Sequence, residues 1–362
     1  MDLKFSPSKK SSVGMELELR LLDPETLHVK NCSSTVFENL NPKYASNLHK
    51  ELLQSMVEVV TPVCNSVGEA VDFIDAMTQH ISSIGKEHNF ALAALATHPT
   101  EVQSDNRIIN DPRYKAFEEE FQIIIRNFLI SGLHIHVGAL SKQHAVDAFN
   151  ATINYLPLFL ALSANSPFCH AEDSGLASYR TKIFTKLPRA GIPQYFKDYS
   201  DYTQLYEELY SAGAVKSAKD IWWDVRISPH FGTVELRVCD SFFDPERLKF
   251  IGLLYQGLVL YAKEYQPPRQ YHQIHMQNKW SATRYGMDGV FILHGEAMPI
   301  REKIAQLIEK ISKAGIFKAL GSEDEIAFYS HILDKPSIAT VLREQYRESK
   351  NFADAIKSEI ID

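Results

Sequence analysis

Residues 13–22 alternate without a break. Val13, Met15, Leu17, Leu19 and Leu21 fall on one side, and Gly14, Glu16, Glu18 and Arg20 on the other. Strand side chains repeat with period two, so this is a strand with one apolar and one charged face. Asp23-Pro24-Glu25-Thr26 reads as the turn that ends it. A second short strand is predicted around residues 57–61, a buried strand over 91–98, and a third two-faced strand over 132–139 (GLHIHVGA). Residues 221–228 and 232–240 read as two strands joined by the turn Ser228-Pro229-His230-Phe231. Apolar residues three and four apart predict helices over 66–90, 113–130, 142–164, 245–263 and 299–314, with further helical patterns over 322–361. Pro157 is expected to interrupt the helix over 142–164. Residues 165–200 are loop-rich and polar, and an ordered loop of that length is more often functional than incidental. Residues 1–12 read as a flexible polar leader, and residues 13–362 as a single catalytic domain, because the polar-faced strands from 13 to 240 suit one sheet.

Composition narrows the function. The chain has 362 residues, 45% hydrophobic and 23% charged, enough for a large core. Its net charge of −7 and the absence of a basic stripe exclude a nucleic-acid binder. An anionic substrate must therefore be met locally, by metal ions and a few placed cations. The most apolar run, residues 155–164, is broken by Pro157 and is too short to span a bilayer, so no membrane partner is expected. Cys32, Cys64, Cys169 and Cys239 lie far apart with no CxxC pair, which fits a reducing, cytoplasmic location.

The charged strand faces carry the candidate chemistry. Glu16 and Glu18 sit at i and i+2 on one face. Like charges about 4 Å apart cost on the order of 4 kcal/mol at an effective dielectric near 20, a cost that a cation between them removes. Hard carboxylate oxygens suit Mg²⁺, which takes substrate phosphates as further ligands; a solvated strand face is the plain alternative. Glu58 lies between Val57 and Val59, and a Glu is almost never buried unless it is paired. Glu51 precedes it by seven residues and reads alone as a surface residue. His134 and His136 share a face between Gly132 and Gly138. They suit a metal, a nucleotide phosphate or a packed core equally. Glu235 and Arg237 repeat the i, i+2 spacing, as do Asp224 and Arg226 one strand earlier. Each is either a simple ion pair or a metal ligand beside an arginine that stabilises a transferring phosphoryl group. No glycine-rich phosphate loop is present, so a nucleotide would be held by metals and side chains.

At these residues the sequence resembles the carboxylate–amine ligases of the bacterial glutamate–cysteine ligase type 2 family, in the glutamine synthetase-like superfamily. The matching stretches are GMELELRLLDPET, ELLQSMVEVVTPVC, LAALATHP, GLHIHVGA, LPLFLALSANSPF, ASYRTKIF, IWWDVRISPHFGTVELRVCDS and TRYGMDG, in order from residue 14 to 289. The resemblance implies an α+β fold, a curved antiparallel β-sheet with helices packed outside and the active site on its concave face. It implies ATP and two or three Mg²⁺ ions. By position, Glu16, Glu18, Glu58 and Glu235 look like metal or phosphate ligands. Glu51 matches an acidic position of the superfamily, and His134 and His136 look like members of the nucleotide–metal site. Arg237 looks like the phosphoryl-stabilising arginine, so that Arg237 and Glu58 stand at the reacting centre. Leu17 departs from the family's G-x-E-E-E-F pattern, but on the apolar face.

The implied reaction is amide formation through an acyl phosphate, glutamate–cysteine ligase-like, on small-molecule acid and amine substrates. A carboxylate-binding pocket is expected among Arg180, Arg189 and the Trp222-Trp223 pair. A homodimer is expected on the base rate for soluble proteins. Two rivals stand beside the ligase: a zinc hydrolase built on the His134/His136 pair, and a binding protein that keeps the fold without catalysis.

Overall fold

The structure is a computed structural model and describes residues 3–265 and 269–362. Eight strands form the main sheet: β1 (Val13–Leu22), β2 (Leu48–Lys50), β3 (Met56–Val60), β4 (Ala91–Ala93), β5 (Gly132–Gly138), β6 (Val225–Ser228), β7 (Thr233–Asp240) and β8 (Ile360–Ile361). Their order is β6-β7-β5-β1-β3-β2, and every pairing is antiparallel. β4 pairs with the far end of β1 and with β8, so the end of the chain returns to the sheet. This is the α+β architecture the sequence implies, with β1 at its centre.

Alternation dictates which way each strand faces. Met15, Leu17, Leu19, Val57, Val59, Ile135, Val137, Val234 and Leu236 are all at most 1% exposed and belong to one core. On that face lie α1 (Val67–His88), and two later helices considered below. α1 starts where the Ser66 side chain accepts from the Glu69 N–H, and ends at Asn89 in the left-handed conformation (φ 59°). The other face is polar and is roofed by α2 (Pro112–Phe121), α3 (Ile123–Arg126) and Trp222. Next come α4 (Lys142–Ser163), α5 (Arg180–Phe184), α6 (Pro245–Tyr261) and α7 (His272–Tyr285). α4 and α6 complete the core face, α5 the roof, and α7 packs against α4.

Four expectations are corrected. Residues 113–130 form two helices, because Gln122 takes φ 49° and ψ −122° between them; the break turns the apolar stripe so that Phe117, Phe121, Ile125 and Leu129 stay in one secondary core. α4 runs through Pro157 unbroken, held by side chains buried on all sides from Thr152 to Ser163. The strand over 91–98 stops at Ala93, since the Leu95 carbonyl accepts from Arg20 Nε instead (3.2 Å). Residues 3–12, expected as a flexible leader, are tied down. The Ser6 and Ser8 N–H groups donate to the carbonyls of Pro229 and Ala139 (both 3.0 Å), and Phe5, the apolar residue in that polar segment, is 5% exposed and packs edge-on against Tyr199.

Candidate active site

Register gathers the predicted residues into rows on the polar face. Arg226 stands opposite Glu235, Glu235 opposite His136, and His136 opposite Gly14. One step along, His134 stands opposite Glu16 and Glu16 opposite Val60. The third row is Glu18, Glu58 and His49. Residues directly opposite on antiparallel strands lie on the same face, so six strands deliver their chemistry to one place. A cavity of about 360 Å³ opens there, lined by Glu16, Glu18, Glu51, Glu58, His134, His136 and Arg237. Glu235, fully buried, lies just behind the lining with a carboxylate oxygen 3.9 Å from His136 Nε2. Glu51 is brought in by β2, too short a strand to be read from the sequence.

The contacts separate two electrostatic ends. At the β6–β7 end, Glu235 accepts from Arg226 Nε (2.8 Å) and Ser228 Oγ (3.0 Å), and from Arg237 Nη1 on its other oxygen. Burial pushes its carboxyl up, but Arg226, Arg237 and His136 more than reverse this and hold it well below the usual range. Glu16 bridges both histidines: His134 Nδ1 at 3.1 Å and His136 Nε2 at 3.2 Å. Burial again opposes ionisation, and the two imidazoles again win, so its carboxyl is held low. His136 Nδ1 is fixed by Thr233 Oγ1 (2.9 Å), and its Nε2 is buried without a well-formed hydrogen bond.

At the β2–β3 end the balance is reversed. Burial, then the Glu58 and Glu18 carboxylates, push Glu51 well up. Burial, then Glu16 and Glu18, do the same to Glu58. Positive charge arriving at this end would favour their ionised forms. Glu18 is oriented by the Gly132 N–H (2.6 Å).

Three overlapping donor sets have ligand atoms within 4.8 Å of one another: Glu16–His136–Glu235, Glu16–Glu58–His134 and Glu18–Glu51–Glu58. Oxygen-rich sets of this kind, with crowded carboxylates and an imidazole nitrogen that lacks a well-formed hydrogen bond, fit hard divalent cations. No set among the described residues contains both His134 and His136. The zinc pair of the hydrolase reading is thus not formed: each histidine serves a different set, on either side of Glu16.

Other expectations resolve residue by residue. Arg180 lines the cavity, 2% exposed, with its Nε unpaired. Arg189 does not; its guanidinium lies 5.2 Å over the Trp222 ring and donates to the Asp220 carbonyl (3.0 Å). Trp222 lines the cavity, whereas Trp223 packs on Phe149 and Phe196. Asp224 leaves the pattern: a bend before β6 turns it to Lys279 on α7 (2.6 Å), so only its neighbour Arg226 reaches the site. Lys50, Arg113, Tyr114 and Lys219 also line the cavity. Lys50 and Lys219 come from short segments with no period to mark a face, and Arg113 and Tyr114 open a predicted helix on which only the apolar stripe stood out.

Known proteins resemble the chain in sequence and in fold. A protein of Frankia alni with the provisional name glutamate–cysteine ligase 2-1 is 35% identical over 322 residues, 86% of this chain and 84% of its own. One from Solibacter usitatus, provisionally named glutamate–cysteine ligase 2, is 34% identical over 344 residues, 92% of this chain and 88% of its own. Among solved structures, a glutamate–cysteine ligase of Francisella tularensis in complex with AMP superposes with a TM-score of 0.68 at 13% identity, covering 98% of this chain and 89% of that one. A bifunctional glutathione synthetase from Pasteurella multocida gives 0.61 at 14% identity; the match covers 95% of this chain but 54% of that longer one. These structural likenesses establish the fold, which is that of the glutamine synthetase-like ligases. The sequence model described as Glutamate-cysteine ligase family 2 matches residues 12–348, all of the sheet except its last short strand, and the chain belongs to that family.

Proposed function

We propose that the chain is an ATP-dependent ligase that joins the carboxylate of a small acid to an amine, with glutamate and cysteine the pair suggested by the names of its relatives. The observation that carries this reading is the convergence of Glu16, Glu18, Glu58, Glu235 and both histidines, from four strands, on one face beside Arg237. The three donor sets would hold Mg²⁺, which when bound neutralises the triphosphate and polarises its terminal phosphoryl group.

The chain's own groups account for the rest. Arg237, tethered by one nitrogen to Glu235, keeps a buried Nε without a partner. It is the donor aimed at charge on the transferring phosphoryl group. Arg226, fixed on the same carboxylate, adds a second cation at that end. The acid's carboxylate oxygen attacks the terminal phosphorus of ATP, ADP leaves, and an acyl phosphate results. The amine then attacks the acyl carbon, the C–N bond forms, and phosphate leaves with the bonding pair while the amine loses its proton. No covalent intermediate on the protein is needed, and among the described residues no cysteine or serine lines the cavity. Held reactants supply the rate through positioning.

We also propose a cytoplasmic location, in which the four free cysteines would stay reduced, and, on the base rate for soluble proteins alone, a homodimer, which sedimentation velocity tests. Incubation with ATP, MgCl₂ and a panel of acids and amines that includes glutamate and cysteine, followed by ADP assay and mass spectrometry of the products, tests the activity. A new amide equimolar with ADP is expected. No ADP above background across a broad panel of acids and amines would favour the non-catalytic binding protein instead.

A further inference from the structure

The cavity has a side that the ligase chemistry does not use. Opposite the carboxylates, its wall is built from Leu52, Phe117, Phe128, Phe184, Leu187 and Trp222. All six belong to a secondary apolar cluster distinct from the main core. The aromatic rings are set in two pairs: Phe117 stands edge-on to Trp222 (centroids 5.5 Å apart, 87°) and Phe128 lies 5.9 Å from Phe184. Phe117 and Phe128 are only half-buried and line this space. An apolar wall of this extent left in contact with water is unfavourable by roughly 25 cal/mol per Å², and a concave apolar surface beside a few polar groups is the ordinary form of a ligand pocket.

The wall adjoins one end of the cavity. Leu52 follows Glu51 in the chain, and Tyr114, one turn before Phe117, donates to the Lys50 carbonyl (3.0 Å). The neighbouring Glu18–Glu51–Glu58 set carries three carboxylates. Their combined charge exceeds that of one divalent ion, and Glu51 has no ion pair among the described residues. An ammonium group is therefore drawn to this end, while the arginine-rich β6–β7 end suits phosphates. A compact thiol methylene such as that of cysteine would leave most of the wall wet.

We infer that the amine substrate carries a bulky apolar group, aryl or branched alkyl, seated on the Phe117–Trp222 and Phe128–Phe184 wall with its nitrogen toward Glu51. This inference rests on the ligase reading for its chemistry, but its binding geometry can be tested alone. Calorimetry should compare 2-phenylethylamine, leucine and cysteine as ligands of the intact protein with Mg²⁺, alongside ADP release with ATP and a panel of acids. The aryl and branched amines are expected to bind at least about tenfold tighter than cysteine, and Phe117→Ala to weaken them about ten- to a hundredfold while changing cysteine less than about twofold. Phe128→Ala, in the loop after α3, guards against a local folding effect of the first variant and should act in the same direction. Cysteine binding as tightly as the bulky amines overturns the inference, as does equal weakening of all ligands by both variants, or a preference for bulky acids with small amines. A protein that keeps the expected binding order but releases no ADP loses the ligase reading and keeps this one.

Discussion

At the scale of single residues, the two carboxylates in the third and first rows behave oppositely, and the structure shows why. Glu58 is crowded by Glu16 and Glu18, so Glu58→Gln removes repulsion. In metal-free protein it should raise the melting temperature by about 2–4 °C, equivalent to on the order of 1 kcal/mol, while ATP turnover falls at least about a hundredfold. Scanning calorimetry in EDTA checks the first effect and ADP assay the second; a lowered melting temperature would mean that Glu58 is paired, not crowded. Glu235 is the reverse case. Its charge answers two guanidiniums, and Glu235→Ala strands both. Loss of about 3–5 kcal/mol in urea unfolding is expected, beyond any loss of activity. The alternation of residues 13–22 made the acidic face legible, and the spacing of Glu235 and Arg237 marked their strand. That Glu235 would hold Arg226 as well could not be read, because it depends on the cross-strand register of β6 and β7.

At the scale of elements, β5 shows how a strand carries more than the side chains it displays. A Cβ added at Gly132 would lie 2.2 Å from Arg180 Nη2, and the Gly132 N–H also orients Glu18. Gly132→Ala should therefore displace a guanidinium in the cavity wall and cost about 1–3 kcal/mol through overpacking. The expected signature is a raised KM for the acid substrate with the KM for ATP little changed; an unchanged KM for every substrate would remove Arg180 from the site. The strands and long helices were legible because each buries one periodic face. The break between α2 and α3, inside a stretch read as one helix, and β2 were not, since their positions are fixed by what they cover rather than by their own sequence. Glu51, just after β2, Tyr114 and Phe117 on α2, and Phe128, just after α3, reach the cavity from there, and of these four only Glu51 was marked as a candidate site residue.

At the scale of the whole molecule, both ends of the chain close onto the sheet, and a buried histidine stands where the segments near β4 and β8 meet the turn after β1. His98 is 5% exposed. Its Nε2 lies 2.8 Å from the Leu27 carbonyl, and its Nδ1 accepts from the Thr100 N–H (3.3 Å). The neutral ring satisfies both partners; a second proton would set N–H against N–H. Burial first, with Arg20 nearby and against the pull of the Leu27 carbonyl, pushes its pKa down to about 4. In the unfolded chain the ring titrates near about 6.5, so between these values the unfolded state binds the extra proton. The contribution is fully present above pH about 6.5 and is lost as pH falls toward about 4, up to about 3 kcal/mol in all. None of this was visible in ALATHP, because the Leu27 carbonyl comes from 71 residues away. His98→Gln should be less stable than the parent by about 1 kcal/mol at pH 7.5, from an imperfect replacement of two hydrogen bonds. Its loss on acidification should be shallower, so that the two unfolding free energies converge and then cross between pH 6.5 and 4.5. Urea unfolding at four pH values across that window measures the gap, and a gap that stays constant would show that His98 does not titrate differently on folding.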